Sequence, residues 1–172
     1  MKVFLVGPMG SGKSAVGRQL ARRLGLEFVD SDDEIVARTG VDIPYIFERE
    51  GEAGFRHRET EVIDELTQRE NVLVATGGGA VLDPVSRTRL RERGHVVYLR
   101  TSVDQQLART RRSETRPLLN NPDPRGTLAQ LFALRAPLYA EVAELTVDTD
   151  GRKVRTVVEQ ICRHLGVPGH GA

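Results

Sequence analysis

Short apolar runs alternate along the chain with longer stretches in which apolar residues recur every third or fourth position. Val3-Phe4-Leu5-Val6, Phe28-Val29, Val72-Leu73-Val74-Ala75, Val96-Val97-Tyr98-Leu99 and Leu145-Thr146-Val147 are rich in β-branched and aromatic residues and show no polar alternation. Runs of that kind fit strands buried on both faces, as in a parallel sheet covered by helices. Between them a helical period takes over. Val16, Leu20 and Leu24 recur at every fourth residue, and Gly25 is placed to stop that helix. Asp83-Pro84 reads as the N-cap and first residue of a helix running to about Arg93 and ending at Gly94. The acids at 30–33 are followed by a helical stretch from Asp32 to about Arg38, and Ser102 and Gln105 have capping-box spacing. Val154, Val157, Val158, Ile161, Cys162 and Leu165 make a final apolar face, so Cys162 is expected in the core. The alternation predicts an α/β domain: helices on both faces of a parallel sheet.

The 172 residues suit one domain spanning 1–172. A composition 39% hydrophobic and 28% charged excludes the disordered, collagenous and membrane classes. The chain has no apolar run of about 18 residues, and its N-terminus turns to glycine before a signal-peptide core forms. Its lone cysteine excludes an intramolecular disulfide and a cysteine-rich zinc site. The expectation is a cytoplasmic monomer with no membrane contact. A net charge of +1 argues against nucleic-acid binding, and the local excess of Arg100, Arg109, Arg111, Arg112 and Arg116 suits phosphate clamping better than a long backbone track. Only three of the 25 basic side chains are lysines, so a lysine at a demanding position says more than an arginine does. One segment breaks the periodicity: residues 111–125 are polar and carry three prolines, which marks a functional or disordered loop.

Gly7-Pro8-Met9-Gly10-Ser11-Gly12-Lys13-Ser14 matches G-x-x-x-x-G-K-[ST], between a strand and a helix. Glycines allow successive N–H groups to converge on an anion, and the helix N-terminus adds positive potential. Lys13 is placed to reach the β- and γ-phosphates and the Ser14 hydroxyl to ligate Mg²⁺. The segment is a nucleotide site. Without an N-K-x-D segment to read guanine, ATP is the expected nucleotide.

Three further clusters point to a small anionic phosphate acceptor. Asp30-Ser31-Asp32-Asp33 follows the second strand, at the sheet edge where ligands bind. These acids either hold metal-bound water and take a hydroxyl proton, or merely cap the next helix. In Gly51-Glu52-Ala53-Gly54-Phe55-Arg56-His57-Arg58-Glu59, Arg56 and Glu59 fall three apart on a helix. Arg56 pairs either with Glu59, as an exposed intrahelical ion pair, or with a ligand carboxylate; His57 reads as exposed. Gly77-Gly78-Gly79 after the third strand lets the backbone approach a ligand and offers N–H donors. From the residues alone the reading stops at an ATP-dependent kinase of a small polyol acid.

Taken together, G-P-M-G-S-G-K-S (7–14), D-S-D (30–32), G-E-x-x-F-R-x-x-E (51–59), G-G-G (77–79), R-P-L-L (116–119) and R-x-P-L-Y (135–139) resemble the shikimate kinase family over nearly the whole chain. The resemblance implies a P-loop fold: a three-layer sandwich with a five-stranded parallel sheet in the order 2-3-1-4-5 and a lid at about 111–125. It implies phosphorylation of the shikimate 3-hydroxyl by ATP with Mg²⁺, the substrate region lying at about 31–60. Lys13, Asp32 and Arg116 are then the catalytic residues, Asp32 being the candidate base. Gly10, Ser11, Gly12, Lys13, Ser14, Ala15, Arg109, Arg116 and Lys153 are expected around ATP, and Ser14 and Asp30 at the metal. Asp32, Arg56, Gly78, Gly79 and Arg135 are expected to bind shikimate, with Phe47 and Phe55 walling the pocket and Glu59 orienting Arg56. Another small-molecule P-loop kinase, such as a gluconate kinase, is the alternative. Val36 departs from a glutamate common in the family, at a helix position expected to lie away from the pocket. Lys153-Val154 replaces a proline found near the adenine site in some members.

Overall fold

The computed structural model describes residues 1–110 and 122–168. Strands β1 (Lys2–Val6), β2 (Glu27–Asp30), β3 (Val72–Ala75), β4 (His95–Arg100) and β5 (Leu145–Asp148) form one parallel sheet in the order β2-β3-β1-β4-β5. Each of the five apolar runs is one of these strands. The helices are α1 (Lys13–Leu24), α2 (Ser31–Thr39), α3 (Ile43–Leu66), α4 (Pro84–Arg93), α5 (Val103–Thr110), α6 (Pro124–Val142) and α7 (Val154–His164).

Successive strand side chains point to opposite faces, so each strand feeds two cores. Val3, Leu5, Leu73, Val97, Leu99 and Val147 pack against α1 and α7, where Cys162 is buried as expected. Phe4, Val6, Val72, Val74, Val96 and Tyr98 pack against α3, α4 and α6. Burying a side chain such as Leu5 stabilises the fold by about 1.5–3 kcal/mol, which makes the strands rigid supports for the loops they carry.

The helix ends follow the local signals. Gly25 takes the left-handed conformation after α1. Asp83 Oδ2 accepts the Ser86 N–H at 2.8 Å at the start of α4, and Ser102 Oγ accepts the Gln105 N–H at 3.1 Å. Gly51, at φ 72° and ψ −179°, kinks α3, yet the Phe47 and Phe55 rings on either side remain 4.9 Å apart.

Parallel pairing sets the carboxyl ends of the strands along one edge: Asp30 and Leu5 both stand beside Ala75, and Arg100 beside Asp148. The loops leaving those ends therefore gather into one site. Arg100 is not free for phosphate, because its Nε and Nη2 donate to the two Asp148 oxygens at 2.6 and 2.9 Å. Among the described residues no helix is long and apolar enough to cross a membrane.

Candidate active site

β1 opens into the glycine-rich loop and then α1. Gly12 is the N-cap of α1 with φ 90°, and no side chain caps the first turn. The first N–H groups of α1 are thereby left to a ligand, at the positive end of the helix dipole. Lys13 folds over the loop, its Nζ donating to the carbonyls of Gly7 at 2.7 Å and Pro8 at 2.8 Å. From α5, Arg109 Nη1 donates to the Gly10 carbonyl at 3.0 Å.

Asp30 combines the two readings of the acidic cluster. Its Oδ1 accepts the N–H groups of Asp32 at 2.9 Å and Asp33 at 3.2 Å and so caps α2. Its Oδ2 accepts the Ser14 hydroxyl at 3.0 Å. Two hard oxygen atoms from different elements thus meet beside the phosphate-binding loop, a donor set suited to Mg²⁺. Burial, then the charge of Asp30, pushes the neighbouring Asp33 carboxyl above its ordinary range.

A cavity of about 470 Å³ opens between this loop and α2. Of the residues assigned to the nucleotide and the metal, Gly10, Gly12, Lys13, Ser14, Ala15, Asp30 and Arg109 line it, together with Asp32 and Gly78 from the acceptor assignment. Val36 lines it too, contrary to the expectation that it lies away from the pocket. Asp32 and Val36 are one turn apart on α2, so a helix that aims Asp32 into the cavity aims Val36 there as well. Lys153 is exposed at the start of α7 and does not line this cavity. Arg116 lies outside the described residues, as do positions 111–121 of the expected lid.

Arg56, Glu59 and Arg135, expected at the acceptor, surround Gly77–Gly79. Arg56 Nη1 donates to Glu59 Oε1 at 2.9 Å and Nη2 to Glu52 Oε1 at 3.3 Å. Glu59 is 2% exposed, so its pair with Arg56 is not the exposed ion pair. Burial pushes the Glu59 carboxyl upward, against the pull of Arg56 and then Arg135. Arg135 is buried on α6, and its Nε, Arg56 Nε and Glu59 Oε2 are buried without a hydrogen-bond partner among the described residues. Buried polar atoms are normally paired, and a cluster of unpaired ones suits a polar ligand. His57 is exposed, its Nε2 3.3 Å from Glu61 Oε1.

Close approach requires glycine at two of the three positions, Gly77 and Gly79. A Cβ on Gly77 would lie 2.7 Å from Asp32 Oδ1 and 2.8 Å from Glu59 Oε2. One on Gly78 would lie 3.4 Å from Arg135 Nη1, and one on Gly79 would lie 2.5 Å from Arg56 Cζ. The two halves of the site therefore meet at this loop. Arg56, Glu59 and Gly79 line a space of about 400 Å³, and Arg135 lines a small one beside Met9. Phe55 is buried with the Arg56 guanidinium 5.2 Å above its ring, and Phe47 is half-buried beside it.

The profile of the shikimate kinase family matches residues 9–166. The chain belongs to this family. Shikimate kinase of Halorhodospira halophila is 59% identical over 164 residues, covering 95% of this chain and 93% of that protein. Shikimate kinase of Thioalkalivibrio sulfidiphilus is 56% identical over 94% of this chain and 85% of that protein. Shikimate kinase from Acinetobacter baumannii, solved in complex with shikimate, has a TM-score of 0.94 at 50% identity, covering 95% of this chain and 92% of that one. A gluconokinase from Sinorhizobium meliloti, covering 96% of this chain and 91% of that one, shares the fold with a TM-score of 0.57 at 19% identity. The shikimate kinase fold expected from the motifs, with strand order 2-3-1-4-5, is the one observed.

Ser31 and Tyr139, both inside the family motifs, had no role in the sequence reading and make contacts at the glycine run. Ser31, inside D-S-D, is fully buried and its Oγ accepts the Gly77 N–H at 3.0 Å. Tyr139, the last residue of R-x-P-L-Y, donates its hydroxyl to the Gly78 carbonyl. Their positions inside motifs were the available signal; the partners lie far away in the sequence.

Proposed function

We propose that this chain transfers the γ-phosphoryl group of ATP to the 3-hydroxyl of shikimate, giving shikimate 3-phosphate and ADP. The observation that carries the reading is the meeting of two half-sites at one loop. Gly77 and Gly78 border the cavity that Lys13, Ser14 and Asp32 line, and Gly78 and Gly79 abut Arg135 and Arg56, the two arginines we assign to the acceptor carboxylate. An acceptor gripped by those arginines lies next to the nucleotide site. Phosphoryl transfer needs that juxtaposition more than covalent participation by the protein.

The N–H groups of the glycine-rich loop bind the phosphates, and Lys13 exchanges its carbonyl partners for β- and γ-phosphate oxygens. Ser14 and Asp30 are assigned to Mg²⁺, which supplies positive charge to the phosphates when bound. Arg56 and Arg135 hold the shikimate carboxylate, and Glu59 keeps the Arg56 fork in place. Asp32 takes the proton of the 3-hydroxyl as its oxygen bonds to the γ-phosphorus and the β–γ bridging oxygen leaves with ADP. Arg109 closes over the nucleotide, and Arg116, assigned by motif alone, adds charge at the transferring group.

A coupled ADP-release assay with ATP and Mg²⁺ tests the reading, run with shikimate, gluconate, AMP or no acceptor. ADP release dependent on shikimate is the expected result. Release that depends on gluconate or AMP instead, or on none of the acceptors, overturns it.

A further inference from the structure

Arg135 and Tyr139 stand four residues apart on α6, one turn apart on one face, and both are buried. The phenol hydroxyl donates to the Gly78 carbonyl oxygen. Its ring lies 5.0 Å from that of Tyr98 on β4, tilted by 32°, which holds the side chain in place. Burial pushes the phenol pKa well above its ordinary value, against the nearby Arg135, so the hydroxyl remains a donor throughout the working pH range.

The bond matters because of what it fixes. A peptide unit is planar, and there is no cis bond among the described residues, so the Gly78 carbonyl and the Gly79 N–H are opposite ends of one rigid group. Pinning the oxygen therefore sets the direction of the N–H. The Gly77 N–H is already used, donating to Ser31 Oγ. The Gly78 and Gly79 N–H groups have no acceptor among the described residues. Glycine is the residue least able to hold its own conformation, so a run of three needs an outside restraint to keep its donors aimed.

We propose that Tyr139 is a positioning residue for the phosphate acceptor: by holding the Gly78 carbonyl it aims the Gly79 N–H at the acceptor carried between Arg56 and Arg135. The proposal rests on the kinase reading given above and adds to it a residue that touches neither substrate.

Tyr139→Phe keeps the ring and removes the hydroxyl, with its bond to the Gly78 carbonyl and its contact with the Arg135 guanidinium. Tyr98→Phe is the matched control, since the Tyr98 hydroxyl is buried without a hydrogen-bond partner among the described residues. Steady-state kinetics with ATP and shikimate, and thermal melting, are measured for both variants and the unaltered chain. Tyr139→Phe is expected to raise the KM for shikimate about 10-fold, the size of one buried hydrogen bond, while the KM for ATP stays within twofold. Tyr98→Phe leaves both constants unchanged. An unchanged shikimate KM in Tyr139→Phe, or equal rises in both KM values, overturns the proposal, the latter by marking a general loss of structure. Failure of the unaltered chain to phosphorylate shikimate would instead overturn the kinase reading, so the two failures are told apart.

Discussion

The Arg56 guanidinium occupies the space that a side chain on Gly79 would need: a Cβ there would lie 2.5 Å from Arg56 Cζ. The backbone of Gly79, at φ −97° and ψ 5°, lies in a region open to other residues. Glycine is required here by its neighbour, not by its own dihedral angles. Gly79→Ala should therefore fold. The obstructing group is the end of a flexible side chain and moves aside, taking with it the fork assigned to the acceptor carboxylate. Misplacing a positioning group by about 1 Å costs up to ~100-fold. The expected outcome is a 10- to 100-fold rise in the KM for shikimate, with the KM for ATP unchanged and melting within a few degrees. A folded variant with unaltered shikimate KM would show that the Arg56 fork does not depend on this clearance.

Asp30 does two jobs with two oxygens, and two substitutions separate them. Asp30→Asn keeps an oxygen to accept the Asp32 and Asp33 N–H groups but loses the charge facing Ser14. Asp30→Ala loses both. Removing an N-cap costs about 0.5–2 kcal/mol, so the alanine variant should unfold at a lower urea concentration and the asparagine variant near the normal one. Both should need about 10-fold more Mg²⁺ for half-maximal rate. A normal Mg²⁺ requirement in the asparagine variant would restrict Asp30 to capping.

Much of this molecule was legible because its signals are local. A sheet covered on both faces needs unbroken apolar runs, so β1 through β5 stand out without knowledge of their partners. Asp83, Ser102 and Gly25 mark helix ends through bonds to residues within a turn, and the loop from Gly7 to Ser14 carries its chemistry in one contiguous stretch. What was not legible depends on pairings across the chain. Arg100 looked free because its partner Asp148 is a neighbour only once β4 and β5 are in register. The Arg56–Glu59 pair stayed open between an exposed ion pair and a ligand site because helix spacing reports the pair but not the packing of Gly77 against the Glu59 carboxylate. Val36 is the exception: it stands one turn after Asp32 on α2, so the helical period alone already put the two on one side. Tyr139 reaches Gly78 across 61 residues, a relation that no local pattern encodes.

Asp32 lines the cavity that Lys13 and Ser14 also line, and its Oδ1 would lie 2.7 Å from a Cβ on Gly77, the position from which the proposed base would act. Asp32→Asn retains size and hydrogen-bonding capacity but cannot accept the hydroxyl proton. A positioned general base contributes about 10²- to 10⁴-fold, so kcat should fall by that range while shikimate binding, followed by calorimetry, weakens far less. A parallel loss of binding and rate would make Asp32 a binding group rather than the base.

The far edge of the sheet carries a clasp whose pH dependence can be worked out. Glu144 Oε1 lies 2.9 Å from His95 Nδ1, and Oε2 lies 2.9 Å from His164 Nε2, joining the start of β4 to the end of α7. Burial raises the Glu144 carboxyl, but the hydrogen bonds from His164 and His95 outweigh it, and the net direction is below the ordinary value of 4.5. A carboxyl with a lowered folded-state pKa binds its proton more tightly in the unfolded chain. Its stabilisation is therefore complete above the unfolded value and is lost as pH falls through the folded one. The side chain is 40% exposed, so the pairs belong to the weak, solvent-screened class. Glu144→Ala should lower the melting temperature by roughly 1–4 °C at pH 7, and the gap should close as the pH is taken below about 4. The substitution leaves the Glu144 N–H bond to the Val96 carbonyl in place, so the backbone connection is not disturbed. Kinetic constants should not change, because the clasp stands at the opposite end of the strands from the loops that form the site. A melting gap that persists unchanged into acid would mean that Glu144 acts through packing rather than charge.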